Sequence, residues 1–182
     1  MLGVVFTELL EMVETTFSME MVDLILEDAD TRSGGSYTAV GKYDAAEVVR
    51  IVSALSAHTG IPVPVLVRRF GRHLFGRLVE GHPDTIAGLE TSFELLQRIE
   101  SHIHNEVRKL YPDAELPRID ASQDGPDKLT MHYSSSRPLA VLALGLIEGC
   151  AAHFGETLSI THIDTSNGAG TSATFAIERV AA

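Results

Sequence analysis

The run His104-Asn105-Glu106-Val107-Arg108-Lys109-Leu110-Tyr111-Pro112, with Tyr133-Ser134-Ser135-Ser136-Arg137 further along, is the most informative part of this 182-residue chain. The first run is typical of the last turns of an amphipathic helix, which ends at Pro112 because proline cannot continue a helix. The second run is typical of an extended segment, in which alternate side chains lie on the same face. The chain around these runs is therefore predicted to mix helices with strands.

The part of the chain that precedes both runs is predicted to be helical. Apolar residues recur there at helical spacing, at Phe6, Leu9, Leu10 and Val13 and again from Met19 to Leu26. Asp44 is a candidate N-cap for a helix that Gly60 and Pro62 end, and Pro62 or Pro64 can open another helix to about residue 79. The longest helical segment is predicted from residue 84 to about residue 110, and Gly88 is a place where it could break.

The later part of the chain changes to short β-branched or alternating runs, at 128–133, 157–163 and 172–180, which predict strands. The segment 139–154 is almost uniformly apolar and is closed by Gly155. Such a pattern predicts a helix that is buried on more than one side.

These elements predict an α+β fold, with a helical N-terminal lobe and a small, mostly antiparallel sheet against which helices pack. The length fits a single domain, 1–182. We expect the helical lobe at about 1–65 and the second lobe at about 66–182.

Composition limits the classes of partner. The formal net charge of −11 argues against nucleic acid, whose phosphates require a Lys/Arg surface, and against an anionic membrane surface. The longest apolar run, 138–147, has about half the length that a membrane span needs, and the start lacks the pattern of a signal peptide. We expect a soluble cytoplasmic protein, in which the single cysteine, Cys150, is a buried hydrophobe rather than a redox sensor.

His104 lies at the edge of an apolar helical stripe. At about 100° per residue, that stripe contains Phe93, Leu96, Ile99, Ile103, Val107 and Leu110. His104 can therefore enter the wall of a pocket, whereas His102 is predicted to face water. Taken alone, a histidine at the edge of a stripe is more often a structural or surface residue than a metal ligand.

Tyr133, Ser135 and Arg137 project together if their segment is extended. Two hydroxyl donors beside a guanidinium suit a pair of carboxylates, and haem carries two propionates. The alternative is a half-exposed strand with ordinary polar side chains. Together with His104 as a helical iron ligand, these residues predict a haem pocket.

The chain resembles the haem nitric oxide/oxygen binding (H-NOX) domains, which are related to the sensor domain of soluble guanylate cyclase. The matching motifs are Met1-Leu2-Gly3, Phe70-Gly71, the histidine helix that ends in Leu110-Tyr111-Pro112, Leu116-Pro117, Tyr-x-Ser-x-Arg at 133–137 and Gly145-Leu146-Ile147-Glu148-Gly149. The resemblance implies haem b with His104 as proximal iron ligand. It also implies that Tyr133, Ser135 and Arg137 bind the propionates and that Pro117 presses on the porphyrin and bends it.

The resemblance also bears on gas selectivity. In oxygen-binding members a tyrosine donates a hydrogen bond to bound dioxygen, and Leu142 occupies that position here. The other distal positions, Val5, Leu9, Leu74 and Leu78, are apolar too. A hydrogen bond to a charged acceptor is worth about 1.5–3 kcal/mol. The pocket is therefore expected to bind nitric oxide and carbon monoxide and to discriminate against oxygen.

The expected function is that of a stand-alone gas sensor, not an enzyme, which signals to a separate histidine kinase or cyclic-di-GMP enzyme, as bacterial members typically do. A zinc site of three cysteines and a histidine, present in some members, cannot be assembled with Cys150 alone. His162 is better read as a strand residue, and Gly71 as either a flexible point or a site of close packing. The rival functions are a haem-free interaction module of the same fold and, less favoured, a haem enzyme such as a peroxidase.

Overall fold

The computed structural model describes residues 1–180. Its helices, in chain order, are α1 (Val4–Thr16), α2 (Met19–Ala29), α3 (Ala45–Thr59), α4 (Val63–Gly81), α5 (Ser92–Arg98), α6 (His104–Leu110) and α7 (Ala140–His153). A 3₁₀ turn, Pro83–Thr85, follows α4, and a π-helical turn, Ile99–Ile103, joins α5 to α6. The strands are β1 (Arg118–Gln123), β2 (Lys128–Ser134), β3 (Leu158–Asp164) and β4 (Ser172–Arg179). The predicted α+β class is confirmed.

The helices of the N-terminal part begin and end where local signals place them. Asp44 is the N-cap of α3, and its side chain accepts a hydrogen bond of 3.0 Å from the amide of Ala46. Gly60 ends α3 in the left-handed conformation, with φ of 69°, which glycine adopts without steric cost. Helices α1 to α4 enclose a first hydrophobic core, to which α4 contributes Leu66, Phe70 and Leu74.

The four strands form an antiparallel sheet in the order β1-β2-β4-β3. Alternate residues of β2 and β4 are buried, and Met131 lies opposite Phe175 in the register. Together with α5 and α7, this face encloses a second hydrophobic core. Strand β1 was not predicted from the sequence. Only Ile119 of its residues is buried, so its alternation of buried and exposed residues is weak.

Helices α4 and α7 join the two cores at a contact made by glycines. A Cβ atom on Gly71 would lie 2.5 Å from the carbonyl oxygen of Leu142, and one on Gly145 would lie 2.9 Å from the Cα of Gly71. Gly71 is predicted from the sequence to be either a flexible point or a site of close packing. These short distances support close packing. Glu148 of α7 binds Arg68 and Arg72 of α4 beside this contact.

The helical segment predicted from residue 84, for which Gly88 is the expected place of a break, is divided. Gly88 has a φ of 77°, and the helix starts only at Ser92, where Thr91 is the N-cap. The π turn inserts one residue relative to an α-helix and so rotates everything that follows by roughly 100°. Leu110, which belongs to the apolar stripe predicted from the sequence, is 72% exposed for this reason.

No single helix within residues 1–180 combines the length and apolar character that a membrane crossing requires. Helices α3 and α4 pass that test only when they are taken together, across a bend of 115°. Most residues of the apolar helix α7 are buried in the fold.

Candidate functional site

His104 is the first residue of α6 and follows the π turn directly. The rotation at that turn carries its ring from the edge of the predicted stripe into the buried face, so that 11% of the side chain is exposed. Its Nδ1 atom lies 2.9 Å from Oε2 of Glu100, whereas Nε2 has no hydrogen-bond partner among residues 1–180. His102, by contrast, is exposed, as the sequence predicts.

Glu100 is a functional candidate that sequence analysis did not find. Besides its contact with His104, its carboxylate accepts hydrogen bonds from Arg108, at 2.7 Å, and from the backbone amide of Ile119, at 3.2 Å. Burial alone would raise the pKa of Glu100, but these hydrogen bonds outweigh it and lower that pKa to about 2. The group beside His104 is therefore a carboxylate anion.

Tyr133, Ser135 and Arg137 lie together at the end of β2. Tyr133 is buried, and burial raises the pKa of its phenol, while Ser135 and Arg137 oppose the rise. Ser135 continues the pairing beyond the strand through its amide, which donates to Thr171 at 2.8 Å. Its hydroxyl accepts from the amide of Arg137 at 3.1 Å. Strand alternation thus explains the placement of the first two residues, whereas a loop places Arg137.

Arg137 has a carboxylate partner within the chain. Its guanidinium donates to the backbone oxygen of Glu115, at 3.0 Å, and to the side-chain carboxylate of the same residue. Glu115 precedes Pro117 by two positions, and Ile119, the residue that binds Glu100, follows Pro117 by two. The half-buried Pro117 is therefore held from both sides, by the arginine loop and by the histidine helix.

The predicted distal residues do not all lie together. Leu9, Leu74 and Leu142 are buried in the first core, and Val5 packs against that core half-buried. Leu78 is 38% exposed and instead lines a surface cleft of about 360 Å³ with Val4, Glu8, Arg77, Glu80, Gly81 and His82. The first four residues share one hydrophobic core, and this group, termed the apolar wall, does not include Leu78 in this structure.

Two tyrosines pack on the same core, and both of their hydroxyls are engaged. The ring of Tyr37 stacks on Phe6 at 4.5 Å, and its hydroxyl donates to the carboxylate of Glu47 at 2.7 Å. The hydroxyl of Tyr43 accepts from the amide of Thr38 at 2.8 Å. Neither phenol is directed to Leu142 by these hydrogen bonds.

The Met1-Leu2-Gly3 motif has a structural role next to Arg137. Leu2 forms an isolated antiparallel β-bridge with Lys42, and the amino group of Met1 donates to the carbonyl of Tyr43 at 2.8 Å. A Cβ atom on Gly3 would overlap the backbone oxygen of Thr38. Burial, reinforced by Arg137, lowers the pKa of the Met1 amino group. An adjoining cleft of about 580 Å³ is lined in part by Met1, Arg32, Arg50 and Arg137. His104 and Tyr133 do not line this cleft.

These residues fit haem better than a bare metal ion. No group of three or more His, Cys, Asp or Glu side chains within residues 1–180 is arranged to hold a metal. One imidazole whose Nε2 has no partner among residues 1–180 would suit the iron of haem, which needs few ligands from the protein. The phenol, hydroxyl and guanidinium at the end of β2 suit its carboxylates, and the apolar wall suits its ring.

Comparison with known proteins gives the same family. The sequence model of the family described as Haem-NO-binding matches residues 2–162. The ferrous unliganded H-NOX protein from K. algicida is 36% identical, covers 100% of this chain and 98% of its own, and has a TM-score of 0.93. An IWP-051-bound H-NOX from Shewanella woodyi in the Fe(II)CO state is 43% identical, with coverages of 99% and 95% and a TM-score of 0.84.

A more distant relative has been solved with nitric oxide. This H-NOX protein from S. oneidensis, in the Fe(II)NO ligation state, is 28% identical, covers 100% of both chains and has a TM-score of 0.91. No curated protein matches the chain.

Proposed function

Since this chain belongs to the Haem-NO-binding family, whose members are haem gas-sensor domains, we propose that it senses nitric oxide. In this proposal His104 would hold the iron of a ferrous haem b. The observation that carries it is the buried His104 ring, which has an anionic partner at Nδ1 and no partner at Nε2 among residues 1–180. When bound, haem would supply an iron atom able to bind a diatomic gas.

The propionates are assigned to the end of β2. Tyr133 and Ser135 offer hydroxyl donors, and Arg137 offers a guanidinium that already binds one carboxylate, that of Glu115. Pro117, whose segment is held at Glu115 and at Ile119, would press on the macrocycle. This assignment predicts that the three polar residues contribute to haem retention and not to gas selectivity.

Selectivity for nitric oxide and carbon monoxide over oxygen is assigned to the apolar wall. Leu142 is 8% exposed and offers no donor, and Val5, Leu9 and Leu74 share its core. Leu78 is 38% exposed and lies outside this core, so it is not part of the assignment. The nearby phenols of Tyr37 and Tyr43 are held by other partners. The related H-NOX proteins in the Fe(II)NO and Fe(II)CO ligation states are consistent with this choice of gases.

Signalling is assigned to movement of α6. If His104 holds haem iron, it would couple the cofactor to α6, and this helix could then shift against the segment of Pro117 when a gas binds. A switch requires that the gas bind one of two conformations more tightly, and release of His104 supplies that difference. We propose a cytoplasmic histidine kinase or cyclic-di-GMP enzyme as receiver of the signal, with no catalysis, nucleic acid, membrane or zinc on this chain.

The experiment that tests this proposal is absorption spectroscopy of the purified, reduced protein without gas, in air and with nitric oxide. We expect a five-coordinate ferrous spectrum that air does not convert into a stable oxygen complex and that nitric oxide changes. His104→Ala should lose stable haem ligation and regain it with added imidazole, whereas the exposed control His102→Ala should behave as wild type. A Soret spectrum unchanged in His104→Ala would refute the ligand, and a stable oxygen complex would refute the selectivity.

A further inference from the structure

One carboxylate connects the candidate iron ligand with the segment of Pro117. Oε2 of Glu100 lies 2.9 Å from Nδ1 of His104 and accepts from the backbone amide of Ile119 at 3.2 Å. Oε1 of the same side chain accepts from Arg108 at 2.7 Å. The carboxylate is thus fixed by a helix and a strand before it reaches the imidazole.

We propose that Glu100 is a positioning residue for His104, which orients the ring and strengthens its bond to iron as an anionic acceptor of the Nδ1 proton. The inference rests on the proposed function, because it requires His104 to be the axial ligand. To the proposed gas sensor, the inference adds a residue that controls how readily a gas can release His104.

The chemistry follows from the two nitrogens of imidazole. A neutral ring that donates from Nδ1 carries its lone pair on Nε2, which is the form that binds a metal. A carboxylate acceptor at Nδ1 makes Nε2 more basic than a neutral acceptor does, and such outer partners fix the orientation of the ring. Glu100 therefore opposes release of His104, while its bond to Ile119 transmits a movement of the ring to the start of β1.

The contact differs from an ordinary helical ion pair. Glu106 and Lys109, on the same helix, also pair, but their side chains are 53% and 69% exposed and they bind nothing else in the described chain. The side chains of Glu100 and His104 are 34% and 11% exposed, and the carboxylate has a backbone donor as well. Glu106 is therefore a matched control for removal of a carboxylate from this helical region.

The test compares Glu100→Gln with Glu106→Gln in the haem-loaded protein. Resonance Raman spectroscopy of the reduced, unliganded form measures the iron–histidine stretching frequency, which reports the strength of that bond directly. We expect a lower frequency in Glu100→Gln than in wild type, and transfer of haem to excess apomyoglobin that is faster by about 10-fold or more. Glu106→Gln should match wild type in both measurements.

A second measurement leaves Glu100 intact. In haem-loaded His104→Gly, free imidazole can occupy the cavity and donate a proton to Glu100, whereas 1-methylimidazole cannot. We expect imidazole to bind about 10-fold more tightly, after correction for the same pair of ligands on haem in solution. Equal corrected affinities would overturn the proposal even if Glu100→Gln does not fold.

The outcomes separate this inference from the proposed function. If wild-type protein has no iron–histidine vibration, His104 is not the ligand and the proposed function fails. If the vibration is present in wild type and has the same frequency in Glu100→Gln and Glu106→Gln, only the role of Glu100 is refuted.

Discussion

The substitution Gly145→Ala tests the contact that joins the two cores. A methyl group at Gly145 would overlap the carbonyl oxygen of Arg68 and lie 2.9 Å from the Cα of Gly71. Both neighbours are backbone atoms of α4, which cannot rotate aside as a side chain can. Helices α4 and α7 must therefore separate or tilt to admit the methyl group.

The magnitude follows from two opposing contributions. Overpacking of a well-packed core costs about 1–3 kcal/mol, and the backbone contacts place Gly145→Ala near the upper end. Alanine is the better helix former by about 1 kcal/mol. We expect the free energy of unfolding to fall by about 2 kcal/mol, which corresponds to a decrease in melting temperature of about 4–8 °C for a chain of this size.

Gly76→Ala is the matched control, because Gly76 lies in α4 and a Cβ there meets no heavy atom within 4 Å. This variant should be stabilised by about 1 kcal/mol through helix propensity alone. Urea denaturation followed by circular dichroism, at one haem concentration for all variants, measures both effects. If Gly145→Ala is as stable as Gly76→Ala, the close contact between α4 and α7 does not exist in solution.

Further predictions concern gas binding, the thiol and pH. Leu142→Tyr should introduce a donor worth about 1.5–3 kcal/mol to bound oxygen, or one to two decades in affinity; an oxygen titration showing no gain would remove Leu142 from the distal wall. Burial raises the pKa of Cys150 from 9.0 to about 12, so its thiolate fraction at neutral pH is roughly 1000-fold below that of an ordinary thiol. Modification by Ellman's reagent should therefore be far slower in native than in unfolded protein, and comparable rates would revive the redox sensor. Burial would raise the pKa of Glu148, but hydrogen bonds from Arg68 and Arg72 outweigh it and lower that pKa below 4.5. Because the folded pKa is the lower one, the contribution of Glu148 to stability is complete above about pH 4.5 and is lost as pH falls through the folded value. The stability difference between wild type and Glu148→Gln should therefore shrink in acid, and a difference that grows would contradict the ion pairs.

The sequence predicted those elements whose signals are local. Asp44 and Gly60 bound α3 because an N-cap acceptor and a left-handed C-cap act within one turn. Strand β1 was missed, because its pairing with β2 depends on a register between distant residues and only Ile119 is buried. The start of α5 at Ser92, rather than at residue 84, reflects the left-handed Gly88 and the cap at Thr91.

In the candidate site, too, only the features with local signals could be predicted from the sequence. The residue types at 104, 133, 135 and 137 are visible in the sequence as motifs, but their partners are not. Glu115 binds Arg137 across the fold, and the amide of Ile119 binds Glu100 only because β1 starts beside the π turn. Such pairings are set by tertiary packing, which the spacing of residues along the chain does not encode.

The π turn is the physical reason why His104 lies on the buried face of its helix. On a uniform α-helix, the center of the apolar stripe would be shared by Ile103 and Leu110, and His104 would stay at its edge. Insertion of one residue between α5 and α6 exposes Leu110 and turns His104 inward. Glu100 lies within the inserted turn, so the same distortion aligns the carboxylate with the imidazole. π turns are rare, and they occur frequently at functional sites. Here the distortion places both His104 and the partner that orients it.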